Sequence, residues 1–156
     1  MTGRALRRID RGPFLPVGAE RQFLALSKAS PASPEIHGWL GKTYEAKGDI
    51  ARARASYDKA LELQPDMPLA VAGLVQADLA QKKIESARSR VDTRLARNAN
   101  DPVMLLLAGN TYYSSGDAKR AESFYRRMLG VGPDSIRAFS RLGALYLPQK
   151  RLVGGR

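Results

Sequence analysis

The chain is 156 residues long, contains no cysteine and carries a formal net charge of +11. The lack of Cys excludes disulfides, thiolate catalysis and most zinc sites. No apolar run approaches the ~20 residues that span a bilayer, and residues 1 to 16 hold arginines but no apolar stretch of the secretory kind. A cytoplasmic location with no transmembrane segment is therefore the default expectation.

The N-terminal part of the chain divides into two short segments. Residues 1 to 16 are predicted to be irregular, because Gly12, Pro13 and Pro16 break any helix there. Residues 17 to 33 look like a half repeat, since Ala19 and Phe23 stand where the second helix of a repeat would have them.

The rest of the chain repeats with a period of 34 residues. One recurring position holds Leu40, Leu74, Ala108 and Leu142, and the next holds Gly41, Val75, Gly109 and Gly143. A fixed period of this length is typical of helix pairs that stack because one pair cannot bury its apolar face alone. The register predicts full repeats at 34–67, 68–101 and 102–135, a single helix at 136–147 and a basic tail at 149–156.

Each full repeat is predicted to be two amphipathic helices joined by a tight turn. In the first, Gly48 can close one helix in the left-handed conformation, Asp49 can cap the next, and Pro65 ends the pair. Gly116 and Asp117 occupy the matching turn of the third repeat.

The middle repeat departs from this pattern. Asp78 replaces a Tyr, and Lys82 and Lys83 replace the Gly-Asp turn. We expect Asp78 to pair with Lys82 one turn away, a weak contact on a helix surface. We also expect this repeat to be the loosest.

These residues, in this order and spacing, resemble the tetratricopeptide repeat family over about residues 34 to 147, with the half repeat before them. The resemblance implies an all-α, right-handed α-solenoid of stacked antiparallel helix pairs, spanning residues 17 to 148. It also implies a noncatalytic scaffold or adaptor that binds a protein or peptide along the concave face, with no cofactor and no metal. A regulatory piece attached to an enzyme is a further interpretation.

The family's concave positions fall on the first helix of each repeat. Carried over to this chain they give the candidate partner-binding residues Lys42, Gln76, Leu79, Leu106, Asn110 and Tyr113. Leu69 and Val103 could line the groove or only pad helix contacts. Arg137 and Arg141 match two basic positions of a family subtype that grips a partner's C-terminal carboxylate, whereas Ala72, Gln76 and Leu107 lack the other side chains of that clamp.

The sequence contains almost no grouping of residues that is typical of a catalytic site. The one histidine, His37, falls at a packing position, and Asp49 and Asp117 are better explained as helix caps than as paired acids. We therefore expect no catalytic residue.

The positive charge is concentrated at the two ends, with +4 over residues 1 to 33 and +5 over residues 136 to 156. This distribution supports an alternative function, an Arg-tailed module that associates with nucleic acid or anionic surfaces, although nucleic acid is not the favoured partner. The arginines of the second helices are expected to form a solvated outer face: Arg88, Arg90, Arg94 and Arg97.

The last helix presents Leu142, Leu145 and Tyr146 with no following helix to cover them all. Self-association through this helix, or a longer array of repeats, is the corresponding expectation.

Overall fold

The computed structural model describes residues 17–132 and 135–153, with the side chains of residue 135 and of residues 148–153 excepted. The predicted irregular segment 1–16 lies outside the described residues, as do the side chains of the predicted basic tail 149–156.

The described ranges contain eight α-helices and no strand. In chain order they are α1 (Ala19–Ala29), α2 (Pro34–Ala46), α3 (Ile50–Leu63), α4 (Pro68–Ala80), α5 (Ile84–Arg97), α6 (Pro102–Ser114), α7 (Ala118–Leu129) and α8 (Ser135–Val153). The predicted half repeat is α1, and the three full repeats are the pairs α2 and α3, α4 and α5, and α6 and α7.

The predicted turns form as expected. Gly48 and Gly116 have φ values of 78° and 85°, in the region that favours glycine. The carboxylates of Asp49 and Asp117 accept hydrogen bonds from the backbone N–H groups of Arg52 and Arg120. A side-chain cap of this kind contributes about 1 kcal/mol to helix stability, so both aspartates have a sufficient structural role.

The chain packs as two compact units, one ending at Leu74 and the other beginning at Val75, within α4. The first unit has a core built around Tyr57 of α3, whose ring lies against Gly41 of α2 and Gly73 of α4. In the second unit the ring of Tyr125 from α7 lies against Gly109 of α6 in the same way. Both rings are almost wholly buried.

The middle repeat is held by a contact that the sequence analysis did not predict. Asp78 is completely buried, and its carboxylate accepts a hydrogen bond from Arg90 Nε at 2.7 Å. The predicted pairing with Lys82 was wrong because Lys82 adopts a φ of 58° at the turn, the place that glycine holds in the other repeats. Lys83 then begins α5 without a side-chain cap.

Two of the four arginines that we expected on a solvated outer face of the second helices, Arg88 and Arg90, make contacts within the second unit instead, whereas Arg97 is exposed. Arg90 reaches inward to Asp78, and Arg88 donates from Nε to Ser115 Oγ at 3.1 Å while its guanidinium lies 4.9 Å from the centre of the Tyr112 ring. Both arginines therefore hold the second unit together.

The last helix is longer than predicted. It continues through Pro148 to Val153, whereas the sequence analysis ended it at residue 147. Proline removes one backbone donor from the helix, and the good helix formers Gln149, Lys150 and Arg151 carry the helix past it. Its packing also differs, since Leu142 and Leu145 are buried and Tyr146 is partly exposed.

We predict that Gly109→Leu loses about 1–3 kcal/mol of stability or more, because an added Cβ would lie 2.2 Å from the Tyr125 ring. Gly41→Leu should behave similarly against Tyr57. Gly143→Leu is the matched control, since a Cβ there meets nothing within 4 Å. Denaturant unfolding followed by circular dichroism measures the difference. Equal stability of the Gly109 and Gly143 variants would contradict the importance of the ring contact.

We predict that Arg90→Ala costs about 3 kcal/mol, because it removes the guanidinium from the buried carboxylate of Asp78. Replacing both residues with Leu should restore much of the loss, since the buried carboxylate is then removed together with its guanidinium partner. The control Lys119→Ala, at an exposed position of α7, should change stability by less than about 0.5 kcal/mol. An Arg90→Ala protein as stable as the control would show that the pair is dispensable.

Candidate partner-binding surface

The second unit carries seven of the eight predicted partner-binding residues. Helix α6 contributes Leu106, Asn110 and Tyr113, whose spacing places them on one helical face. Leu106 and Asn110 are half-buried, and Tyr113 is 49% exposed. Helix α4 contributes the exposed Gln76 and the half-buried Leu79.

Helix α8 contributes the remaining two, Arg137 and Arg141. Both are exposed and stand one turn apart on the helix. This spacing places the two guanidinium groups on neighbouring turns of one helix surface.

The hydroxyl of Tyr125 brings several of these residues together. It donates a hydrogen bond to Asn110 Oδ1 at 2.9 Å. Burial raises the pKa of Tyr125, the positive charge of Arg141 opposes that rise, and the Tyr113 phenol adds to it. Asn110, Tyr113 and Arg141 therefore act on one phenol, which places all three in one neighbourhood.

Tyr125 is the residue of this candidate surface that sequence reasoning missed. Its aromatic ring was recognised as a repeat position, and a packing role accounts for the ring. The hydroxyl at the end of the ring was overlooked. The sequence does contain one signal, because the first repeat also has a tyrosine, Tyr57, at this position. A Phe would supply the same ring without the hydroxyl, so the shared tyrosine points to the hydroxyl.

Lys42 belongs to the first unit and has its own network there. Its Nζ lies 3.1 Å from Glu45 Oε1, and Glu45 Oε2 accepts a hydrogen bond from the Tyr57 hydroxyl at 2.6 Å. Burial and the neighbouring Glu45 carboxylate raise the pKa of Tyr57. Lys42 is thus part of a tyrosine-centred cluster that parallels the one around Tyr125.

The structure gives different environments to Leu69 and Val103, the two residues whose role the sequence left open. Leu69 is partly buried and packs against the core of the first unit, so it pads helix contacts. Val103 is exposed at the start of α6.

His37 makes a local polar contact. It is half-buried, and its Nε2 lies 2.9 Å from the backbone oxygen of Pro31. Across the described ranges, no group of three or more His, Asp or Glu side chains is placed to hold a metal ion. Among the same residues, no helix is long and apolar enough to cross a membrane.

The helix pairs and their tyrosine contacts define an all-α helical-repeat solenoid. Two tetratricopeptide repeat family models match the chain, one over residues 46–111 and the other over residues 18–68. The chain belongs to the tetratricopeptide repeat family. Repeats of this family generally mediate protein–protein interaction.

Solved structures support the fold. The chain superposes on a thermophilic tetratricopeptide repeat protein of Thermus thermophilus with a TM-score of 0.73 and 24% identity, covering 95% of this chain and 78% of that one. It also superposes on the first tetratricopeptide repeat domain of Spaghetti (RPAP3) bound to an HSP90 peptide, with a TM-score of 0.62 and 19% identity, covering 76% of this chain and 94% of that one.

A curated relative matches a shorter stretch. The chain is 37% identical over 67 residues to the probable biofilm formation methyltransferase WspC of Pseudomonas putida. The match covers 43% of this chain and spans 16% of the length of that protein.

We predict that Arg141→Gln raises the pKa of Tyr125 further, because it removes the positive charge that favours the ionised phenol. The chemical shift of a ¹³C label at Tyr125 Cζ, followed from neutral to alkaline pH, measures this. Lys119→Gln removes the same charge from an exposed position of α7 and should leave the titration unchanged. A Tyr125 titration that does not respond to Arg141→Gln would contradict the proximity of the two groups.

Proposed function

We propose that this chain is a noncatalytic scaffold or adaptor that binds an extended segment of a partner protein. The binding surface is formed by first helices of the second unit, and we call it the α6 surface. It consists of Gln76, Leu79, Leu106, Asn110, Tyr113, Arg137 and Arg141, which correspond to the concave groove of the family. The observation that carries the proposal is the half-exposed Tyr113 on the same face of α6 as Asn110, whose side chain is held by a hydrogen bond from the Tyr125 hydroxyl.

The apolar part of the α6 surface suits a side-chain anchor. Tyr113 exposes about half of its surface, and Leu106 and Leu79 are only partly covered. A half-exposed tyrosine offers a large rigid area at low cost in conformational entropy, which is why Tyr is common at binding hot spots. An aliphatic or aromatic side chain of the partner would bury this area.

Asn110 is oriented to hold a partner's backbone. Its Oδ1 is occupied by the Tyr125 hydroxyl, so its amide nitrogen retains donor capacity. A peptide carbonyl in the groove is a suitable acceptor. Because Tyr125 is clamped by its ring contact with Gly109, the amide is held in place before the partner arrives.

Arg137 and Arg141 favour an acidic group close to the anchor. Both side chains are exposed on α8. A guanidinium pairs with a carboxylate through two parallel hydrogen bonds. The complete carboxylate clamp of the family subtype is not expected, because Leu107 is buried and Ala72 carries no polar group.

The family supports the noncatalytic part of the proposal, since its repeats generally serve binding. The short match to a methyltransferase-named protein favours a second candidate, in which a repeat array of this kind works beside a catalytic domain. Both candidates use the repeats as a binding surface, and they differ in what is attached to it.

The test uses peptides selected on the purified protein from a random display library, with affinities measured by calorimetry. We predict that selected peptides share an apolar residue followed by an acidic group or a terminal carboxylate. Tyr113→Ala and Leu106→Ala should each weaken binding more than tenfold, a ratio that corresponds to about 1.4 kcal/mol, without unfolding the protein.

The matched control is Lys119→Ala on α7, which should bind the peptides as the parent does. Arg88 and Arg90 also lie on a second helix, but they are unsuitable as controls because they stabilise the second unit. Normal binding by both groove variants would contradict the proposal. A separate titration with nucleic acid and with anionic vesicles tests the electrostatic alternative. Binding that weakens steeply as salt rises and is lost on removal of residues 1–16 and 149–156 would favour that alternative over the proposal.

A further inference from the structure

Helix α8 has an exposed apolar stripe. Ile136, Phe139 and Leu147 are exposed, Phe139 by 63%, and Gly143 lies between them on the same helical face. The opposite side of α8 packs on α7 through Ala138, Leu142 and Leu145, which are buried.

Gly143 stands at a repeat position that a tyrosine ring covers elsewhere in the molecule, and no ring of the described residues covers Gly143. Gly41 and Gly109 stand at the same position of their repeats, and each is covered by the ring of a tyrosine from the second helix of its own repeat, Tyr57 and Tyr125. A Cβ at Gly143 would meet nothing within 4 Å. Among the described residues, no second helix follows α8 to supply a ring.

Helix α1 is a second helix whose matching first helix is not among the described residues. Its Phe23 stands at the register position of Tyr57 and Tyr125, and it stacks on Trp39 with ring centres 6.4 Å apart. Phe23 is nevertheless only half-buried, whereas the two tyrosines are almost wholly buried.

Leu26 of α1 shows the same incomplete covering. It occupies the register position of Ala60 and Met128, which are both buried, and it is 48% exposed. The face of α1 that a first helix would cover is therefore open at Leu26.

We propose that α8 of one copy of this chain docks on α1 of a second copy and completes one repeat between the two molecules. The register follows from the intact repeats, in which the second-helix ring lies on the first-helix glycine. Phe23 of one copy would cover Gly143 of the other, with Leu26 against Phe139. Because the two faces are different, a pair of copies keeps one unused face of each kind, so that association is head to tail and continues beyond the dimer.

The experiment is sedimentation velocity of the full chain over a range of concentrations. We expect the average mass of the parent to rise with concentration past that of a dimer. Gly143→Leu should give a monomer, because the added side chain fills the docking position, where a Cβ meets nothing within 4 Å in the single chain. Ala144→Leu adds the same bulk at the next position of α8, which is also exposed, and should associate like the parent.

Leu26→Arg tests the other face and should also give a folded monomer. Its control is Ala25→Arg, which places the same charge on α1 at a register position where Lys59, Thr93 and Arg127 are exposed. Circular dichroism confirms that each variant remains helical.

Mixing the two monomeric variants tests the head-to-tail pairing directly. Gly143→Leu retains an intact α1 face and Leu26→Arg retains an intact α8 face, so an equimolar mixture should form 1:1 dimers and nothing larger. A parent that stays monomeric at all concentrations overturns the proposal. Self-association by Leu26→Arg alone, or a mixture that remains monomeric while the parent associates, overturns it as well.

Discussion

The contact on which the rest of this structure depends is a tyrosine ring laid directly on the backbone of a glycine. Tyr57 lies between Gly41 and Gly73, and Tyr125 lies on Gly109, at distances that leave no room for a Cβ. The contacts with Gly41 and Gly109 each join the two helices of one repeat, and the contact with Gly73 joins α3 to α4, so the rings fix the separation of the helices. The same contacts also fix where the hydroxyl at the end of each ring comes to lie. In the second unit that place is Asn110, and in the first it is Glu45. The packing of the core thus determines which polar groups are held rigid at the candidate site.

The sequence predicted the elements of the fold well because their signals are local. The period of the apolar positions, the turn glycines with positive φ and the capping aspartates each depend on residues within a few positions of one another. The predictions failed for two different reasons. Arg90, twelve residues from Asp78, satisfies the buried carboxylate, and no local pattern indicates a partner at that separation. The predicted end of α8 was wrong because Pro148 was taken to end the helix, whereas the good helix formers after it continue the helix.

The candidate site was predictable only in part. The family register placed Leu106, Asn110 and Tyr113 on one face of α6, and that spacing is a property of any helix. It could not assign Leu69 to the core or identify the hydroxyl of Tyr125 as the group that orients Asn110, because both depend on how helices pack. The family register also wrongly placed Arg88 and Arg90 on a solvated outer face. Both residues stabilise the second unit, Arg88 through Ser115 and the Tyr112 ring and Arg90 through Asp78. A high count of arginines in a repeat protein is therefore poor evidence for a basic binding face.

Site-specific photo-crosslinking tests the location of the binding surface most directly. A photoreactive benzoylphenylalanine replaces Tyr113 in one protein and Lys119 in another, and each is irradiated with a selected peptide bound at saturation. We predict a covalent adduct with the peptide from position 113, lost on competition with unlabelled peptide, and none from position 119. Adducts that form from position 119 and not from position 113 would contradict this prediction and place the binding surface on the second helices.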